Sequence, residues 1–202
     1  MTSIHLDDVS KRYGYIWGVK NVSFSAHTGT ILGISGRNGS GKSTIIKLIS
    51  GLHSPTSGII TIKVDEKVIS TQHYYKYFGL CTPYVDLIQE FTLREQFDFH
   101  NCFKSLKVTF KEFDDIIQIG KIQHDKKISE YSSGMKQRIM LALTLLSDVP
   151  IVLLDEPTSY LDLQAKSWFK LLLNQSMNEK IIIIASNDTF DLELCQYIYH
   201  IV

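Results

Sequence analysis

Apolar positions along the chain switch between two rhythms. Short runs at residues 4–9, 22–26 and 31–34 predict strands, with turn signals at Lys20-Asn21 and at His27-Thr28-Gly29 between them. Over residues 43–49 the spacing becomes helical, with Ile45, Ile46 and Ile49 on one face. A turn cluster, G-L-H-S-P-T-S-G, fills residues 51–58, and short strands are expected at 59–64, 67–69 and 78–82, the last ending at Pro83. Residues 151–154 and 181–185 are wholly apolar, the pattern of parallel strands buried on both faces. Helices are expected at 133–147 and 163–176, and a final strand at 198–202. Strands alternating with helices predict an α/β fold around a parallel, helix-covered sheet.

Residues 91–147 differ in character. From about residue 92 to 128 they combine helical spacing, many charges and the aromatics Phe97, Phe99, Phe103, Phe110 and Phe113. We read 91–147 as a helical lobe inserted into a core formed by residues 1–90 and 148–202, with the aromatics as its packing. The chain of 202 residues is long enough for one large domain. A formal net charge of zero argues against a non-specific nucleic-acid binder, so no nucleic-acid partner is expected. The start of the chain lacks the charged and apolar regions of a signal peptide, and no apolar run approaches the length that spans a bilayer. Cys81, Cys102 and Cys195 are scattered without metal-ligand spacing, which suits reduced, buried thiols in a cytoplasm.

One segment carries explicit chemistry. Gly36-Arg37-Asn38-Gly39-Ser40-Gly41-Lys42-Ser43-Thr44 fits the phosphate-loop pattern G-x-x-x-x-G-K-[ST], between an expected strand and an expected helix. Gly36, Gly39 and Gly41 let the backbone aim its N–H groups inward, and the helix adds the positive end of its dipole. Lys42 offers an ammonium to the outer phosphates, and the Ser43 hydroxyl, with Thr44 beside it, offers a ligand to Mg²⁺.

Two further segments fit the same chemistry. The apolar run 151–154 carries Asp155 to the carboxyl end of a buried strand, where open parallel sheets bind ligands. Asp155 there can hold Mg²⁺, and Glu156 can act as general base or water-orienting group at a terminal phosphate. Tyr131-Ser132-Ser133-Gly134-Met135-Lys136-Gln137-Arg138 opens a helix whose small residues and free N–H groups suit a second anion site. The alternative is a helix cap and nothing more. A second phosphate cradle in one chain is used economically by a dimer, each copy closing on nucleotide held by the other.

These three segments, in this order, resemble the nucleotide-binding subunit of an ABC transporter, of an exporter-type cassette. The resemblance implies a P-loop NTPase fold of the ABC type, with a parallel core sheet, an N-terminal antiparallel β subdomain and the inserted helical lobe. It implies Mg²⁺-dependent hydrolysis of ATP, head-to-tail dimerisation as homo- or heterodimer, and a separate integral membrane permease that holds the cassette at the cytoplasmic face. Tyr13 matches the aromatic that stacks on adenine in that family, with Tyr15 and Trp17 as rivals. Asp162 matches a residue at the dimer interface. A non-transport ABC ATPase acting on a nucleic-acid or protein assembly, or a weakly hydrolysing partner in a heterodimer, are the other readings.

The chain also departs from the family. The usual L-S-G-G-Q signature reads Tyr131-Ser132-Ser133-Gly134-Met135 here, a form that resembles cassettes serving small, separate membrane subunits. The family's His after the 181–185 strand is replaced in Ser186-Asn187-Asp188. Asn187 still donates a hydrogen bond but cannot carry charge, so slow hydrolysis is expected. Pro83 or Tyr84 stands where the family has a lone Gln. Proline has no N–H and no polar side chain, and Gln89 lies too far along. The segment from residue 83 to about 96 is expected to form the joint to the membrane partner.

Overall fold

The computed structural model describes residues 1–119 and 126–201. Two sheets share it. An antiparallel sheet has the order β2-β1-β4-β5, built from β1 (Thr2–Tyr13), β2 (Ile16–His27), β4 (Ser57–Val64) and β5 (Lys67–Val68). A parallel sheet has the order β6-β7-β8-β3-β9, from β3 (Ile31–Ser35), β6 (Phe78–Cys81), β7 (Ile151–Asp155), β8 (Ile181–Ala185) and β9 (Tyr197–His200). The helices are α1 (Lys42–Ile49), α2 (Leu93–Phe103), α3 (Phe110–Ile117), α4 (Ser133–Leu146), α5 (Leu163–Ser176) and the short α6 (Thr189–Glu193).

The parallel strands are apolar throughout because both faces are covered, and their side chains divide by period 2. Ile151, Leu153, Ile181 and Ile183 join the cluster that α1 and the antiparallel sheet complete. Val152, Leu154, Ile182 and Ile184 join the cluster formed with α4, α5 and the α2–α3 region. Phe113 and Phe169 are fully buried in the second cluster, and truncating either to Ala costs about 3–5 kcal/mol.

Three expectations need correction, one of them that the thiols are buried: Cys81 is, but Cys102 is exposed and Cys195 half-buried. Lys20-Asn21 is not a turn: both residues lie inside β2, and β1 and β2 are each far longer than the apolar runs suggest. Asn21 and Asp8 take positive φ, 49° and 47°, where the β1–β2 register shifts around the Val9–Val22 pair. The Ser10 hydroxyl accepts from the Asn21 amide at 2.8 Å, and the Ser23 hydroxyl accepts from the Asp8 amide at 2.9 Å. Residues with turn chemistry have been used to bulge a long hairpin. The aromatics of the helical region also divide. Phe97 and Phe113 are buried and touch each other, and Phe97 meets Phe110 edge-on. Phe99 and Phe103 instead meet edge-on at the surface, Phe103 being 74% exposed.

The α2 and α3 helices start where Thr92 and Thr109 each close a reciprocal capping box, with Glu95 and Glu112. Both glutamates titrate below their ordinary range because the cap amide and hydroxyl donate to them.

Candidate active site

The phosphate loop crosses from β3 into α1 at the carboxyl edge of the parallel sheet. Gly41 has φ 105°, and a Cβ there would lie 2.3 Å from the Gly18 carbonyl oxygen and from Val19 Cγ1, so β2 leaves no room for a side chain. At Gly36 a Cβ would come 2.5 Å from Ser40 Oγ. Lys42 is buried and folds back across the loop, its Nζ donating to the Gly36 carbonyl at 2.9 Å. Arg37, Asn38 and Gly39 are exposed at the rim, Ser43 is exposed, and Thr44 half-buried. The hydroxyl of Ser40 is buried with no hydrogen-bond partner among the described residues.

β7 brings Asp155 and Glu156 to this loop. Lys42 Nζ lies 3.6 Å from Glu156 Oε1. Glu156 sits at φ 50°, with its amide donating to the Ala185 carbonyl at 2.8 Å. A non-glycine residue held in left-handed backbone beside a buried lysine is local strain concentrated at a polar cluster. Asp155 is 3% exposed, and neither carboxylate oxygen has a hydrogen-bond partner among the described residues. Burial raises its pKa most. The neighbouring Ser43 hydroxyl opposes this, the Glu156 charge adds to it, and Lys42 and Lys47 oppose it weakly. A buried carboxylate with two free oxygens facing a serine hydroxyl is an oxygen donor set that fits a hard divalent cation.

Sequence reasoning passed over Ser186. Its hydroxyl lies 3.0 Å from Glu156 Oε2 and 2.7 Å from Oδ2 of the buried Asp191, and it accepts from the Asp188 amide at 3.0 Å. Ser186 therefore ties the Glu156 carboxylate to the end of β8. No pattern in the sequence marks it beyond its place after a buried strand. Asn187, next along, is exposed and donates from Nδ2 to Asn38 Oδ1 at 2.9 Å, which links the β8 loop to the phosphate loop.

Ser132 is the N-cap of α4, its hydroxyl accepting from the Met135 amide at 3.3 Å. Ser132 and Ser133 are exposed, and Gly134 packs under the Tyr160 carbonyl, 3.0 Å from where a Cβ would be. Asp162 caps α5 by accepting from the Ala165 amide at 2.7 Å. Within one chain this helix tip borders the stretch after Glu156.

Of the three aromatic candidates, Tyr13 packs over Gly18, where a Cβ would lie 2.9 Å from its ring, and Gly18 in turn abuts Gly41. Its hydroxyl pairs with His53 Nδ1 at 3.3 Å. Tyr15 is fully exposed, and Trp17 lies between Arg12 and Lys20. Gln89 accepts from Lys136 Nζ at 2.8 Å and donates to the Leu87 carbonyl, so it is engaged away from Asp155. Cys81 has its thiol pushed up to about 12 by burial, with a Gln137 contact opposing and the Asp155 charge adding. It is no nucleophile.

A family model described as ABC transporter matches residues 19–159, well over half of the chain. The chain belongs to the ABC transporter family. Its two sheets and helices are the fold of that family. The chain is similar to the Nod factor export ATP-binding protein I of Rhizobium etli, 31% identical over 91% of this chain and 60% of that protein. It is also similar to the D-allose import ATP-binding protein AlsA of Escherichia coli, 29% identical over 90% of this chain and 38% of that protein. Among solved structures, an ATP-binding cassette in a dimeric post-hydrolysis state with ADP and Pi superposes with a TM-score of 0.83 at 23% identity, over 98% of this chain and 94% of the other. The chain spans less than two thirds of the curated relatives it matches, from 60% of the Rhizobium etli protein to 11% of the ATP-binding cassette sub-family A member 10 of Homo sapiens. Among the described residues no helix is long and apolar enough to cross a membrane.

Proposed function

We propose that this cassette binds and hydrolyses ATP with Mg²⁺, and that pairing of two cassettes around ATP is transmitted to a membrane-spanning partner on a separate chain. The observation that carries this reading is the approach of Lys42 to Glu156 beside the unpartnered carboxylate of Asp155. Lys42 and the amides of Gly36 to Thr44 hold the phosphates. Ser43 and Asp155 hold Mg²⁺, which when bound neutralises charge on the phosphate oxygens. Glu156, oriented by Ser186, takes the proton of the attacking water. Asn187 reaches the terminal phosphate from the β8 loop, and Tyr13 stacks on adenine. The exposed α4 tip, Ser132 to Gly134, closes on nucleotide held by a second cassette, which is a homo- or heterodimer partner. In this reading the chain is one domain, with a helical lobe at 91–147.

The joint to the membrane partner lies at residues 83–96. An apolar cleft of about 280 Å³ there is lined by Leu80, Val85, Leu87, Phe99, Phe103 and Met140. It is a ready seat for an apolar segment of the membrane partner, and in this reading the cassette sits at the cytoplasmic face of the membrane. Export is the direction we favour, on the Y-S-x-G-M-K form of residues 131–136.

The test is Glu156→Gln. With ATP and Mg²⁺ it should bind nucleotide normally, lose hydrolysis by about a hundredfold or more, and accumulate as an ATP-bound dimer on size exclusion. Continued rapid phosphate release by this variant would remove Glu156 from its role.

A further inference from the structure

We infer that the Thr82 hydroxyl supplies the oxygen that Pro83 cannot, as a neutral ligand, direct or through one water, to the cation held by Ser43 and Asp155. This rests on the metal reading given above. β6 and β7 run parallel with Cys81 opposite Leu154, so the next residues, Thr82 just beyond β6 and Asp155 at the end of β7, lie side by side. Thr82 is 5% exposed and Asp155 3%. Thr82 Oγ1 and both oxygens of Asp155 are buried without a hydrogen-bond partner among the described residues. Both residues line one cavity of about 390 Å³ that also takes in Glu156, Ser133 and Gln137.

A threonine buried only for packing ordinarily satisfies its hydroxyl on a nearby carbonyl, as Thr144 does by donating to the Leu80 carbonyl. Thr82, two residues on, does not. Orphaned oxygens from two adjacent strands opening on one cavity are what a hard cation or its bound water would satisfy. Tyr84 is the rival. Burial raises its phenol's pKa, with the Thr82 hydroxyl opposing and the Asp155 charge adding. Tyr84, however, is 40% exposed, its ring lies beneath Lys47 Nζ at 4.6 Å to the centroid, and it is not among the residues that line the cavity.

The experiment measures equilibrium binding of a fluorescent, non-hydrolysable ATP analogue to the full chain with Mg²⁺ and with EDTA. The ratio of the two affinities is the gain due to metal. Thr82→Val keeps the shape and removes the hydroxyl. It should shrink that gain about tenfold while leaving binding in EDTA unchanged, and Thr82→Ser should restore it. Tyr84→Phe should leave the gain as it is. Should Thr82→Val not fold, Thr82→Ala carries the same expectation. A full gain in the Thr82 variant, with Ser43→Ala and Asp155→Asn both losing theirs, overturns the Thr82 assignment alone. So does a loss that follows Tyr84→Phe instead. A full gain in all of these variants overturns the metal reading beneath it.

Discussion

The two edges of the parallel sheet treat buried polar groups in opposite ways. At the amino-terminal edge they are tied off. Lys180, just before β8, is buried and donates to the carbonyls of Leu145 and Ser147 at 2.7 and 2.5 Å. Lys104 donates to the Phe78 carbonyl at the start of β6. Ser147 donates to the Leu143 carbonyl and accepts from His100 Nε2 at 2.8 Å. Lys107 bridges Asp148 and Glu179 at the rim. At the carboxyl edge Ser40, Thr82, Asp155, Thr158 and Asp191 all keep buried oxygens without partners among the described residues. A fold does not leave such atoms unpaired without a cost of about 1–3 kcal/mol each. The edge that leaves them is the one kept open for a ligand, and the edge that satisfies them holds the sheet together.

The sharpest way to break that contrast is Lys42→Ala. It should lower ATP hydrolysis about a thousandfold, since charge stabilisation dominates phosphoryl transfer. It should leave the melting temperature of the nucleotide-free chain within a few degrees of the parent, because what is lost is one hydrogen bond to a loop carbonyl and a 3.6 Å ion pair to the partly exposed Glu156. A large drop in melting temperature would show that the carboxyl edge is structural too.

Lys180→Met is the mirror case. The methionine fills most of the volume and takes a charged donor from two buried carbonyls, of which Ser147 keeps only the Val149 amide at 2.9 Å, and this should destabilise the chain by about 3 kcal/mol. In a chain of this size that is roughly 10 °C in melting temperature. Hydrolysis per folded molecule should not change. Unchanged stability would mean that water satisfies those carbonyls as well as the lysine does.

His100 adds a pH signature to the same edge. Its pKa is pushed down to about 4 by burial first and by the Lys104 charge second. The folded chain keeps the ring neutral while the unfolded chain protonates near 6.5, so the unfolded state binds more protons between these values. The stabilisation is complete above pH 6.5 and is lost as pH falls toward 4, by up to about 3 kcal/mol. His100→Gln should flatten that slope relative to the parent in urea unfolding at pH 7, 6 and 5. Parallel slopes for the two would show that His100 protonates as easily in the fold as outside it.

How much of this contrast was legible in the chain follows from how local each signal is. The phosphate loop, the β7 run into Asp155 and the helix Leu163–Ser176 are written in contiguous residues, and the structure builds elements there. The long β1–β2 hairpin was not legible, because Asp8 and Asn21 look like turn residues until a partner strand shows them as bulges. Phe99 and Phe103 have helical spacing like Phe97, and only the packing of α2 shows which side meets the core. Thr82 and Ser186 are the least legible. Each matters through a neighbour on another strand, Asp155 for one and Glu156 for the other, and no spacing along a single chain reports that pairing.

The smallest effect concerns Asn187. It occupies the loop after β8, within hydrogen-bond reach of Asn38 at the rim of the phosphate loop, and in the proposed reading its side chain reaches the terminal phosphate. An amide there donates one neutral hydrogen bond, whereas an imidazole reaches further and becomes a charged donor when protonated. Hydrolysis by the parent chain should therefore be slow, and Asn187→His should raise the rate about tenfold, the difference of about 1.4 kcal/mol expected between a neutral and a charge-assisted hydrogen bond. Asn187→Ala should lower it by a similar factor. None of these changes should move the melting temperature, since the residue is exposed and belongs to the open edge. Ordinary turnover in the parent, together with no loss in Asn187→Ala, would take Asn187 out of the site and leave the carboxyl edge without a sensor of the terminal phosphate on β8.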